Sequence, residues 1–200
     1  MAQVIVYLAH PGQRYSRVNS AMVREAAQVE GITQVDLYAD YPRHGVDVER
    51  EQDRLIDHDT IVLQFPFFWY SVPALLKDWI DLVLEHGFAY GDGGTQLAGK
   101  RMQLALTAGG PETSYSKDGY NRFGIRTLLT PLEQTAHLCK MEFLPPYVLY
   151  GSIEADAQTE VAEHARGYAA LLKALRDDRL EIGNEEVLTA QTLRLGQGAA

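Results

Sequence analysis

Three short stretches carry residues able to do chemistry. "FPFFWY", Phe65 to Tyr70, is almost all aromatic rings. "AHPGQRYSRVN" places His10, Ser16, Arg17 and Asn19 in one short span. "TAGGPETSYSKDGYN" runs from Thr107 through the double glycine Gly109 and Gly110 into a long polar excursion. The second stretch reads as an anion site. A helix opening around Arg17, capped by Ser16, presents free backbone amides and the positive end of its dipole. His10, Asn19 and the charge of Arg17 add to it. The first stretch offers a flat apolar wall for a conjugated ring. Pro66 is expected to end strand pairing there, freeing the amides of Phe67, Phe68, Trp69 and Tyr70. In the third, glycines let the backbone approach a ligand closely, and loops of such length usually carry function. Each stretch also has a plainer reading: a capped helix, a lid or dimer contact, a solvated loop.

The elements that must position these stretches alternate. Gln3 to His10 is a buried strand, and a helix follows in which Val18, Met22 and Ala26 share a face. "TQVDLYA" is a second strand. "VDVEREQDRLIDH" is a polar helix with Val48, Leu55 and Ile56 as its inner contacts. "DTIVLQF" is a third strand, and "VPALLKDWIDLVLEHG" is a long amphipathic helix with Pro73 in its first turn. "KRMQLALTAGG" is a fourth strand. A helix broken at Pro131 comes next, then a fifth strand, "MEFLPPYVLYG", interrupted by Pro145 and Pro146. A last helix precedes a tail, 181–200, without strong period. Five strands alternating with helices imply a single α/β domain over 1–180, a doubly wound parallel sheet in the order 2-1-3-4-5. Ligands of such sheets bind beyond the carboxyl ends of the strands, where the order reverses. All three stretches fall there.

Composition excludes several classes. The net charge of −9, from 18 basic and 27 acidic residues, argues against a nucleic-acid binder. Cys139 is the only cysteine, which removes a CxxC metal or redox motif and reads as a small buried apolar residue in a reducing cytoplasm. No secretory signal is expected, and no apolar run approaches the ~20 residues of a membrane span. The first loop lacks both GxGxxG and the GKS/GKT of a P-loop.

Together the motifs "AHP…SxxN", "PxxW[YF]xxPAxLKxW" and "TxGG" resemble the NAD(P)H:quinone oxidoreductase family of flavodoxin-like flavoproteins. "LYADYPRHGVDVEREQ", "LLKDWIDLVLEHGFAYGDGGTQLAGK" and "LCKMEFLPP" look most like the ancillary subunits of the glutathione-gated Kef potassium-efflux systems. The likeness covers roughly residues 3–176. It implies a flavin, FMN rather than FAD, with NAD(P)H as electron donor and a quinone as acceptor. His10, Ser16, Arg17, Val18 and Asn19 would surround its phosphate and ribityl chain. Phe67, Phe68, Trp69 and Tyr70 would line the isoalloxazine, and Thr107, Ala108, Gly109 and Gly110 would close its other edge. In the mammalian quinone reductases a Tyr and a His after the double glycine assist charge relay. By the resemblance Tyr115 falls at the first position, and Asn121, or a neighbour if the loop length differs, at the second. An asparagine can donate a hydrogen bond but cannot transfer a proton.

The resemblance also implies a homodimer, with donor and acceptor taking turns over one flavin face. It places the chain in the cytoplasm, or on the inner face of the membrane through a Kef-type antiporter. A second reading makes the chain mainly a regulatory subunit of that antiporter, with weak oxidoreductase activity. A third, a one-electron flavodoxin, fits less well, because "GQRYSRVN" is not a Ser/Thr-rich phosphate loop.

Overall fold

A computed structural model of the protein describes residues 1–12 and 16–197, the last four by backbone alone. The central strand β1, Val4–Leu8, is flanked in parallel by β2, Ile32–Asp36, and β3, Thr60–Pro66. Beyond β3 lies β4, Arg101–Thr107, also parallel, and β4 pairs with two short strands. The order is β2-β1-β3-β4-β5, with β5, Glu142–Phe143, and β6, Tyr147–Leu149, both on the outer edge of β4. Helices cover both faces, so β1 and β3 are buried at every residue. Ile5, Tyr7, Leu63, Phe65 and Leu104 face one core. Val4, Val6, Val62 and Ala105 face the other. The first core packs under α3, Val48–Ile56, and α4, Ala74–Val83. The second packs under α1, Arg17–Ala26, and α7, Glu160–Arg176.

The fifth strand is split. β5 is Glu142–Phe143 and β6 is Tyr147–Leu149, with Pro145 and Pro146 between them. Neither proline has an amide proton, so the ladder cannot run through. Gln103, wholly buried, fills the gap by donating to the carbonyls of Leu104 and Pro145. Pro146 O accepts from Leu188, whose own carbonyl accepts from Val148. Leu188 thus pairs as a one-residue strand on the sheet edge, and Ala190 beside it is buried at the start of α8, Ala190–Gln197. Residues 198–200 lie outside the described part of the tail.

Three local expectations are corrected. The second strand stops at Asp36, whose carboxylate accepts from the amides of Tyr38 and Ala39 and caps a short helix, α2, Leu37–Asp40. Pairing at the end of β3 does not stop at Pro66: Pro66 lies opposite Thr107, and Phe67 N–H still donates to Thr107 O. In α3, Leu55 is buried but Ile56 is exposed, and the inner position one turn before Leu55 belongs to Glu51. That carboxylate accepts from Tyr41 Oη at 2.5 Å, Trp79 Nε1 at 3.1 Å and Arg54 Nη1 at 2.7 Å. The segment after β4 folds as α5, Ile125–Leu128, then α6, Thr130–Leu138, restarting at Pro131 as its sequence suggests. No helix among the described residues is long and apolar enough to cross a membrane.

Candidate active site

The carboxyl ends of β1, β3, β4 and β6 surround a cleft of about 400 Å³. Its floor and walls come from the three stretches singled out above and from a fourth. His10, Ser16, Arg17 and Val18 line the end nearest α1. Phe67, Phe68 and Trp69 line another wall, and Thr107 and Gly109 face it from β4. Pro66 contributes at the strand end. Ser152 and Ile153, after β6, complete the lining. Those last two belong to no motif of the sequence reading. The signal was present all the same: they follow the carboxyl end of the fifth strand, where the rule for ligand positions in such sheets applies equally.

At the α1 end, Ser16 caps the helix, its Oγ accepting from the Asn19 amide at 3.1 Å. His10 Nδ1 accepts from Gly12 N–H at 3.1 Å. Burial lowers the His10 pKa below its ordinary value, and with Nδ1 accepting from Gly12 a neutral ring carries its proton on Nε2. Asn19 is not part of the lining. It is buried beneath the cleft, where Nδ2 donates to Ser16 Oγ at 3.2 Å and Oδ1 accepts from Gln64 Nε2 at 3.2 Å. A longer contact of 3.5 Å joins it to Thr107 Oγ1. Asn19 therefore ties the first loop to β3 and β4 and positions its neighbours.

The aromatic wall is strained. Trp69 and Tyr70 adopt left-handed φ angles of 50° and 61°, a conformation costly for bulky residues. The amides of Phe67 and Phe68 are already taken, by Thr107 O and Pro66 O. Only the amides of Trp69 and Tyr70 have no partner among the described residues, so the expected row of four donors narrows to two. The Trp69 side chain is 92% exposed at the rim, whereas Phe67 is buried. Phe65 lies wholly in the core.

The remaining residues sit behind the lining. Ala108 is buried, and its amide donates to Leu149 O. A Cβ on Gly110 would meet only ordinary contacts with Tyr115 and Ser114, so no close approach demands glycine there. Tyr70 turns away from the cleft and donates to Asn121 Oδ1 at 3.1 Å. Tyr115 packs on Tyr150 with ring centres 5.5 Å apart. Burial raises the pKa of both tyrosines, so both keep their protons and can donate. Neither Tyr115 nor Asn121 lines the cleft in this chain alone. Among the described residues no cluster of His, Cys, Asp and Glu could hold a metal ion.

A doubly wound parallel sheet in this order, with a cleft at the switch point, defines the flavodoxin-like class, and the chain belongs to the family of that fold, whose sequence profile matches residues 2–172. Within it, the chain is 44% identical over 167 residues to the glutathione-regulated potassium-efflux system ancillary protein KefG of Cronobacter sakazakii, covering 84% of this chain and 90% of that protein. Among solved structures it is similar to general stress protein 14 of Treponema denticola in complex with FMN. That likeness has 38% identity and a TM-score of 0.82, over 86% of this chain and 99% of the other. A proposed quinone reductase from Klebsiella pneumoniae is 28% identical with a TM-score of 0.72, over 86% and 85% of the two chains.

Proposed function

We propose that this chain is an FMN-dependent oxidoreductase that carries two electrons from NAD(P)H to a quinone, and that it serves a Kef-type potassium-efflux system as an ancillary subunit. The observation that carries the first part is the pairing within one cleft of a helix start suited to an anion with an aromatic wall that offers two amides without a partner among the described residues. The size of the cleft, the neutral His10 and the strained turn fit a flavin mononucleotide. The FMN bound by the Treponema relative and the quinone reduction proposed for the Klebsiella relative support the reading. The KefG likeness supports the second part.

When bound, FMN supplies the chemistry, accepting a hydride from NAD(P)H and returning two electrons to a quinone. The protein binds and orients it. The α1 N-terminus, Ser16 and His10 would hold the phosphate. Phe67, Phe68 and Trp69 would hold the ring, with the Trp69 and Tyr70 amides as donors to it. Thr107 and Gly109, backed by Ala108 and Gly110, would complete the site. Tyr115, behind the lining beside Tyr150, keeps its proton and would be a donor to the acceptor if a second copy completes the mouth. The exposed rings of Phe68, Trp69, Tyr70, Tyr120 and Phe123 suit coverage by a second copy, giving a homodimer in which donor and acceptor share the mouth. The chain works in the cytoplasm, held to the membrane's inner face through the antiporter.

One observation favours a second reading, a mainly regulatory subunit with weak catalysis. Asn121 cannot relay a proton, and its carbonyl is committed to Tyr70. The test is spectroscopic and then genetic. Purified protein should be yellow or take up added FMN, bleach with NADPH and recover colour with a quinone. A flavin-loaded protein that does not bleach, yet co-purifies with the antiporter and is needed for activated efflux, would favour the regulatory reading. Failure to take up FMN would remove the oxidoreductase.

A further inference from the structure

The turn after β6 is built into the cleft by contacts on three sides. Gly151 N–H donates to Gly110 O at 2.8 Å, and Ser152 N–H donates to Ala108 O at 2.9 Å. These two bonds lay the turn along the double-glycine segment that ends β4. Glu154 and Ala155 both donate back to Gly151 O, closing the turn, and Ala155 is buried at its base. Gly151 takes a left-handed φ of 64°, which a residue with a side chain rarely adopts. The third side is Arg17. Its guanidinium crosses from the start of α1 and donates to the carbonyl of Ile153 at 3.0 Å.

Ile153 itself is the odd residue. Its side chain is 74% exposed, yet it lines the cleft, lying within 3.0 Å of where a Cβ on Gly109 would stand. An isolated exposed isoleucine is ordinary. One held over a glycine at the rim of a cleft, by a backbone fastened at three points, has a surface to cover. The turn reaches from the Arg17 end, where the phosphate would sit, to the Gly109 side, where the ring would lie.

We propose that the turn Gly151–Ile153 is a further wall of the flavin site: the Ile153 side chain packs on the bound nucleotide, and Arg17 is a positioning residue that fastens the turn. This rests on the flavin reading above and adds a wall to it. Arg17 then acts through the Ile153 carbonyl as well as through its charge, and removing it should loosen a segment far away in sequence even with no ligand present.

The test uses the full chain, stripped of flavin, with FMN as the probe. FMN affinity is read by quenching of flavin fluorescence, and mobility of the turn by hydrogen exchange of the Gly151–Ala155 amides in the flavin-free protein. Wild type must bind FMN; if it does not, the flavin reading fails and this wall with it. Given binding, Ile153→Ser should weaken FMN by about tenfold, the loss of one apolar packing contact, with the melting temperature unchanged because the residue is exposed. Arg17→Ala should speed exchange of the turn amides severalfold without ligand, and Arg17→Lys should restore part of the protection. FMN affinity within twofold of wild type in Ile153→Ser would overturn the wall while leaving the flavin reading intact. Unchanged exchange in Arg17→Ala, with FMN affinity lowered, would make Arg17 a phosphate ligand only and overturn its positioning role.

Discussion

Two regions of this molecule gather aromatic rings around polar atoms, and they resolve them in opposite ways. Beneath α3 and α4, Glu51 is wholly buried among Tyr41, Trp79 and Arg54, and each of these gives it a hydrogen bond. At the cleft, Trp69 is almost fully exposed, its backbone is strained, and its amide and that of Tyr70 find no partner among the described residues. A closed set of partners is a structural knot. An open set, convergent on a cavity and carried on strained backbone, is what a ligand completes. His164 sharpens the distinction. Its Nε2 has no partner among the described residues either, but it is sealed in the core, with its ring stacked on Tyr147 at 4.3 Å. An orphaned polar atom marks a site only where something can reach it.

Substitutions should separate the two regions, and the largest effect belongs to the closed one. Glu51→Ala leaves Arg54, Tyr41 and Trp79 without their acceptor and should destabilise by about 3–5 kcal/mol, read as a lowered urea midpoint. Phe65→Ala, in the core directly before the cleft wall, should cost a similar amount, about 3–5 kcal/mol. Neither should alter FMN affinity in the protein that stays folded. If Glu51→Ala is as stable as wild type, the knot is not holding the helices together.

The next effect is a pH dependence. Burial lowers the His164 pKa from its ordinary 6.5 to about 3. The unfolded chain therefore takes up a proton near the ordinary value while the folded chain refuses it. The unfolded state holds more protons through that window, so stability falls as pH falls below about 6.5, by about 1.4 kcal/mol per pH unit from this group. His164→Phe keeps a ring against Tyr147 and removes the titration. The stability lost between pH 7 and pH 5 should shrink by about 2 kcal/mol in that variant, measured by urea unfolding at both values. An unchanged loss would mean His164 is charged in the folded protein.

The smallest effect on stability, and the largest on binding, belongs to the open region. Trp69→Ala removes an exposed ring and should shift stability by no more than about 0.5 kcal/mol. It should weaken FMN by about tenfold or more. A variant that loses stability and keeps FMN would reverse the assignment of the two regions.

Much of this was legible in the sequence, and the gaps have physical causes. The alternation of apolar runs with helical spacing fixes a doubly wound sheet, because only a sheet covered on both faces wants such strands. Placing "FPFFWY" at the end of the third strand followed from that topology. The burial of Glu51 did not follow. A glutamate in a polar helix reads as solvated, and its partners Tyr41 and Trp79 come from other elements. The taken amides of Phe67 and Phe68 were hidden for a different reason. Proline lacks a donor, but it still accepts and still sits in register, so pairing ran one residue past Pro66. Asn19 illustrates a third limit: helix spacing places it near the phosphate end, whereas its buried partner Gln64 turns it under the floor. Ser152 and Ile153 carry no motif, and only their place after the carboxyl end of the fifth strand pointed to them.

The open region is proposed above as a flavin mononucleotide site. Its most direct test is titration of the flavin-free chain with FMN, followed by gel filtration and a visible spectrum of the protein peak. Flavin fluorescence should be quenched to saturation at one FMN per chain, and the protein should be yellow and retain the flavin. A colourless peak, with flavin fluorescence unchanged by added protein, would contradict that assignment.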